Sequence, residues 1–393
     1  MRSKTMEMNP RIILASQETH DPYRQRIMRE RASEVAKDIS KQVGVLGIML
    51  TGSVARGPVT DSSDLDLHVI ISNKFTGNFP EWTFRGNKSI IENLHIVYEA
   101  ELLRGWHMCR ESTSLASWFR DTKLGDELYQ FIPLWWDSTI QWRERLPILV
   151  ANRQRPDIVE GVARCYAGSA RACVSQADSA FHQGASLDGH HQLRLAFQLT
   201  LTAAMIQRGW IIRGSKKRIE IACTFLPDAV IENLLTIGLD IIGLNGMTPN
   251  KAAMLCKERF QYRTILLNEL RELKMRFAHD KHIVFSLDQA IRDQEAHEAM
   301  AYDYYLPLVE KNIILGPINH IRCFSGLPRV PQLFISCLYD DKLWPIQKFR
   351  DSKILGRAVR DKWLEIMAFS STQQQYAQMS LTLNTAIDNL NLI

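Results

Sequence analysis

No stretch of the 393 residues approaches the ~18 consecutive apolar residues that a membrane helix needs. The first twenty residues lack an extended apolar core, so a secretory leader is not expected. The seven cysteines lie at 109, 165, 173, 223, 256, 323 and 337, and no two form a C-x-x-C pair. An odd, scattered set excludes a zinc ribbon and argues against a disulfide framework. Reduced thiols in a cytoplasmic protein are the expectation. Internal repeats and low-complexity tracts are absent. A dense basic stripe is absent too: 48 Lys and Arg against 43 Asp and Glu leave a net charge of +5. That balance suits an anionic ligand without marking a duplex-binding protein. Hydrophobic residues at 46% and charged residues at 23% are ordinary for a globular chain.

Helical and strand signals are plentiful. Asp21-Pro22 reads as an N-cap with proline in the first helical position. Met28, Ala32, Val35, Ala36, Ile39 and Val43 follow at helical spacing, which predicts a helix over 22–43 closed by Gly44. Val45 to Thr51 is a short apolar run and reads as a buried strand. Asp64 to Ser72 and residues 89–99 read as two more strands, with 73–88 as a loop between them. In the third strand Leu94, Ile96 and Tyr98 share one face, and His95, Val97 and Glu99 the other. Residues 100–146 hold five of the nine tryptophans, at 106, 118, 135, 136 and 142. Packing between two domains is one reading; a stacking wall for a base or sugar is the other. Helical patterns then run over 157–181, 188–213, 217–238, 249–278, 287–311, 346–369 and 372–391. The fold class is α+β: a short mixed sheet with helices, then a mostly helical C-terminal region. The expected division is a catalytic domain over 1–110, an aromatic-rich connector over 111–150, a helical domain over 151–311 and a helical extension over 312–393.

The segment with chemical content is Gly52-Ser53, ten further residues, then Asp64-Leu65-Asp66. A D-x-D alone carries little weight. This one follows a buried strand, a Gly-Ser at the strand end and Arg56-Gly57 inside the loop. Two carboxylates two apart on a strand point to one face. They form a hard oxygen site suited to Mg²⁺, which takes one or two carboxylates with phosphate and water. Gly52 lets the backbone approach a phosphate. Ser53 offers a hydroxyl and an N–H, and Arg56 a positive charge.

The stretch GSVARGPVTDSSDLDL resembles the signature of the polymerase-beta-like nucleotidyltransferase superfamily. It is nearest the branch of aminoglycoside and minimal nucleotidyltransferases, with Ser63-Asp64-Leu65-Asp66-Leu67 matching residue by residue. The motif covers about 16 residues, and the wider resemblance the first 110. It implies transfer of a nucleoside monophosphate, with AMP favoured, from a Mg-bound NTP to a hydroxyl or phosphate, releasing pyrophosphate. It implies two Mg²⁺ ions held by Asp64 and Asp66, and triphosphate contacts from Gly52, Ser53, Arg56 and Ser63.

The family usually supplies a third carboxylate from a neighbouring strand, as metal ligand or base. Three options stand in this sequence: Glu99 fills it, His95 substitutes, or the position is lost. His68 is in phase with Asp64 and Asp66 and reads as a bystander. Arg208, Arg213, Lys216, Lys217 and Arg218 put five cations in eleven residues. Lys216 and Lys217 are candidates to reach the triphosphate; the other reading is a solvated helix end. The expected partners are an NTP and a small-molecule acceptor, with biosynthetic tailoring as plausible as antibiotic modification. Transfer to a protein or tRNA, or a non-catalytic nucleotide-binding protein, are the alternatives. No membrane partner is expected, and monomer and homodimer both stay open.

Overall fold

The structure is a computed structural model that describes residues 21–57, 59, 63–76, 82–87, 90–122, 124–128, 130–137, 141–209, 218–223, 228–300, 305–310, 318, 321–323, 344–351, 356–368 and 373–390. Contacts divide the chain into two compact units, 17–165 with 206–213, and 1–16 with 166–205 and 214–393. The division at 165 falls inside a helix and lies beyond the boundary expected near 150.

The first unit starts with helix α1 (Pro22–Ile39). The Asp21 carboxylate accepts from Arg24 N at 2.9 Å and caps it, with proline at the first position. The helix ends at Ile39, before the expected residue 43, because Ser40 caps it and 40–44 form turns. Its buried stripe of Met28, Ala32, Val35, Ala36 and Ile39 packs on the sheet core of Val45, Ile48, Leu50, Leu65, Leu67 and Val69. Each large aliphatic side chain so buried contributes about 1.5–3 kcal/mol.

The sheet comprises β1 (Val45–Leu50), β2 (Leu65–Ile71), β3 (Trp82–Asn87), β4 (Ile90–Tyr98) and β5 (Ile132–Trp136), in spatial order β3-β4-β2-β1-β5. β1 is antiparallel to both neighbours and buried at every position, as its unbroken apolar run requires. β2 and β4 are parallel, pairing Asp66 with Asn93 and His68 with His95. β3 lies where a loop was expected. Its partner β4 follows after two residues as an antiparallel hairpin.

Between β1 and β2 comes a short helix α2 (Gly52–Arg56). After β4 the chain forms α3 (Glu99–His107), α4 (Ser112–Thr122) and α5 (Leu124–Glu127), then returns as β5 and α6 (Trp142–Ala151). Residues 111–150, expected as a connector, thus supply an edge strand of the sheet. Trp118 and Trp142 are buried within this unit, and a Cβ at Gly47 of β1 would meet the Trp136 ring. All five clustered tryptophans therefore sit on elements of the sheet unit, and packing within that unit accounts for Trp118, Trp136 and Trp142.

Helix α7 (Pro156–His182) carries the boundary. The second unit continues with α8 (Ser186–Gln207), α9 (Arg218–Cys223), α10 (Ala229–Ile242), α11 (Pro249–Arg276), α12 (Lys281–Met300), α13 (Leu306–Glu310), α14 (Pro345–Asp351), α15 (Arg357–Met367) and α16 (Gln373–Asn389). α11 packs against α12, α13 and α15, and α10 against α16. The expected helix over 217–238 is two: the sequence places Pro227 before Asp228, whose carboxylate caps α10 by accepting from Val230 N and Ile231 N. Gly356 likewise separates α14 from α15 within 346–369.

Candidate active site

The loop after β1 is built around one carboxylate. Gly52 has φ +67°, a left-handed conformation that strains any L side chain, and a Cβ there would collide with Asp66 Oδ2. Thr51 N donates to the Asp66 carbonyl at 2.9 Å, fixing strand end to strand start. α1 secures the other end of the loop. Gln25 Nε2 and Arg29 Nε each donate to Val54 O at 3.0 Å, and Arg29 Nη2 to Ala55 O at 2.8 Å. These carbonyls close a helix too short to satisfy them itself. Ser53 and Arg56 are half-buried on α2, and Ser63 and Asp64 are half-buried just before β2.

The parallel β2–β4 register brings the acids to a polar face. Asn93 Nδ2 donates to Asp64 Oδ2 at 2.9 Å and to Asp66 Oδ1 at 3.1 Å. His95 Nε2 lies 3.4 Å from Asp66 Oδ1. His68 stacks on His95 with ring centroids 4.6 Å apart. It is bound on both nitrogens, by Thr51 Oγ1 at 3.0 Å and Glu127 Oε2 at 2.9 Å. A polar chain thus runs from Glu127 on α5 through His68 to His95 and the two aspartates.

Electrostatics follow from burial and these partners. Burial alone would raise the Asp66 pKa, but the His95 hydrogen bond and charge, helped by Asn93 and His68, hold it below the ordinary carboxylate value. Burial likewise works against a charged His95; the carboxylates of Asp66, Glu127 and Asp64 win and raise its pKa. For His68 burial prevails, reinforced by His95, and its pKa falls despite Glu127.

Glu99 is not beside this cluster's acids by any hydrogen bond. The chain turns at Tyr98 into α3, so Glu99 sits in that helix's first turn, where its carboxylate accepts from Trp142 Nε1 at 3.2 Å. A strand reading through 99 projected it one residue too far, and an acid suits a helix N-terminus. Of the remaining options, His95 contacts Asp66, and the residue that touches both aspartates is Asn93. The alternation that put His95 on this face puts Asn93 there too, two residues earlier. Glu127 carried no sequence signal, since it meets His68 across 59 positions. Lys216 and Lys217 lie outside the described residues. Among the described residues no three His, Cys, Asp or Glu side chains converge as a metal cluster.

None of the curated proteins matches the chain. Among solved structures, a nucleotidyltransferase-like protein from Exiguobacterium sibiricum 255-15 is similar at 15% identity and a TM-score of 0.31, over 53% of this chain. The match spans 66% of that protein's chain, just under two thirds. Residues 32–140 match the family described as nucleotidyltransferase domain. That span contains Gly52, Asp64, Asp66, Asn93, His95 and Glu127. Residues 32–140 of the sheet unit are therefore similar to the nucleotidyltransferase domain family.

Proposed function

We propose that the protein transfers a nucleoside monophosphate, AMP in the favoured case, from a Mg-bound NTP to a hydroxyl or phosphate of a small-molecule acceptor. The acceptor oxygen forms a bond to the α-phosphorus as the bond to the β-phosphate oxygen breaks. The electron pair leaves with pyrophosphate, and a hydroxyl acceptor's proton passes to solvent. The observation that carries this reading is the pair Asp64 and Asp66, tied to one amide, with Gly52 pressed against Asp66.

The residues fit a divalent cation. Two carboxylates face one site, and a buried carboxamide oxygen beside them, Asn93 Oδ1, has no hydrogen-bond partner. Asp64 and Asp66 would hold the ion, which neutralises charge at the transferring phosphorus. Gly52 and Ser53 bind the triphosphate, Arg56 pairs with it, and His95 orients Asp66. Arg29 and Gln25 act one step back, by fixing the loop's carbonyls. These assignments supply positioning and charge stabilisation, which is most of what phosphoryl chemistry asks of a protein.

A second reading, a nucleotide-binding protein without transfer, is favoured by one observation: a neutral amide, not an acid, joins the two aspartates. The test separates the two. Each NTP is titrated with Mg²⁺ against wild type and Asp66→Ala by thermal shift, and pyrophosphate release is followed over a panel of hydroxyl and phosphate acceptors. Transfer predicts a metal-dependent stabilisation and pyrophosphate release, both lost in Asp66→Ala, with at least ~10²-fold loss of rate. Undiminished release by Asp66→Ala would sink the assignment. A nucleotide-dependent shift with no release from any acceptor supports the second reading.

A further inference from the structure

Asn93 presents an unusual balance. It is 5% exposed in the middle of the sheet. A primary amide offers two N–H donors and a carbonyl with two lone pairs. Its Nδ2 serves both aspartates, while its Oδ1 is buried with no partner. One end of the group is fully used and the other not at all. Leaving a buried acceptor unpaired is unfavourable. The two ends differ little in size, so a half-turn about the Cβ–Cγ bond exchanges them without moving the backbone.

We propose that Asn93 is both placeholder and third ligand of a divalent-cation site, an inference that rests on the metal-dependent reading above. Without the cation, the Nδ2 group bridges Asp64 and Asp66 and offsets their mutual repulsion. Its N–H donors occupy lone pairs that a cation would take. When the cation enters, these donors face a positive charge and are repelled. The amide turns over and presents Oδ1, an oxygen of the type hard cations accept beside carboxylates. The ligand set then carries two negative charges from protein, one fewer than a set of three acids. The amide thus closes the site when it is empty and lines it when the ion is bound.

The test uses the full-length protein and Mn²⁺ alone, read by electron paramagnetic resonance of the free ion. Wild type should bind Mn²⁺, Asn93→Asp more tightly by about 10-fold or more, and Asn93→Leu more weakly by about 10-fold. An Asn93→Leu protein that binds as well as wild type, or better, would show that the amide only competes with the ion and overturn the proposal. Asp66→Ala is the control for the underlying reading. If it loses Mn²⁺ while Asn93→Leu does not, this inference fails and the reading stands. If wild type binds no Mn²⁺, or Asp66→Ala binds as wild type does, both fail. Should Asn93→Leu not fold, wild type labelled with ¹⁵N at asparagine decides the matter. Saturating Mg²⁺ should shift the Asn93 side-chain NH₂ signals and speed their hydrogen exchange. Unchanged signals at a Mg²⁺ concentration that stabilises the protein would exclude the turnover.

Discussion

Each unit buries a group of charged side chains, and the two groups are balanced in opposite ways. In the helical unit the charges are guanidinium groups. Arg322 Nη1 donates to Ile242 O at 2.8 Å and Gly243 O at 2.6 Å, and its Nε to Ile366 O at 3.2 Å. Arg194 donates to Ile241 O at 3.0 Å and Ala368 O at 2.9 Å. These carbonyls end α10 and α15, where helix dipoles favour a cation. Burial lowers both arginines, Arg194 to about 9 and Arg322 to about 10, so both stay charged at neutral pH. In the sheet unit the buried Asp126 pairs with Arg153, and the half-buried carboxylates of Asp64 and Asp66 accept from Asn93, with His95 beside Asp66. The first group closes backbone ends that nothing else would close. On the proposed reading the second holds acceptors for a cation. A buried charge is thus structural where it closes backbone ends, and the proposed cation site is what would give the carboxylates a function.

The sharpest way to break this contrast is Arg322→Met. It strands three carbonyls in the helical unit, each worth about 1–3 kcal/mol when unsatisfied, so a loss of roughly 3–5 kcal/mol is expected in urea unfolding. Asp66→Ala, which removes a carboxylate from the open cluster, should move the midpoint far less. If the two variants unfold alike, the distinction between closing and waiting charges is wrong. Next in size is Gly52→Ala. The left-handed φ strains the residue by about 1–2 kcal/mol, and the added methyl displaces the Asp66 carboxylate. NTP- and metal-dependent stabilisation should therefore fall by more than the fold does. A variant that loses stability but keeps its full nucleotide response would show that Asp66's position is not critical.

What the sequence made legible depended on how local each cause was. α1 was readable because Asp21-Pro22 and its apolar spacing act within a few residues. β1 and β2 were readable because burial imposes an apolar run on one and alternation around Asp66 on the other. β3 was not: its sequence, WTFRGN, sits among turn residues, and its partner β4 defines it. β5 was hidden for the same reason, since only pairing with β1 makes a strand of Ile132–Trp136. Within the site, Gly52, Asp64 and Asp66 stood out by type and spacing. Asn93 did not, because a neutral amide on a strand carries no charge signal, although the strand period places it on the face of His95. Glu127 reaches His68 by a tertiary route that no local pattern encodes.

The pH dependence of stability is the most direct measure of how differently the two units hold their histidines. In the helical unit burial, with the Arg194 charge beside them, pushes His190 down to about 3 and His191 to about 4. Arg322 adds to the effect on His190, and the bond to Ile241 O opposes it. Both rings stay neutral in the folded state while the unfolded chain protonates them near 6.5. Between about pH 6.5 and 4 the unfolded state therefore binds more protons, and stability falls on acidification. The limiting slope is about 1.4 kcal/mol per pH unit for each ring. Asp188, whose pKa burial raises, pulls the other way. The sheet unit holds one histidine of each sign. His68 is lowered and loses stability on acidification; His95 is raised, and its contribution, lost at higher pH, is fully present below 6.5. Urea midpoints measured at pH 7.5, 6 and 5 should drop for wild type and drop less for the double variant His190→Gln, His191→Gln. The glutamine at 190 can still donate to Ile241 O, so the difference reports titration rather than a lost bond. Parallel pH profiles for the two proteins would mean that the helical unit tolerates protons as the sheet unit does, and that its arginines do not repel them.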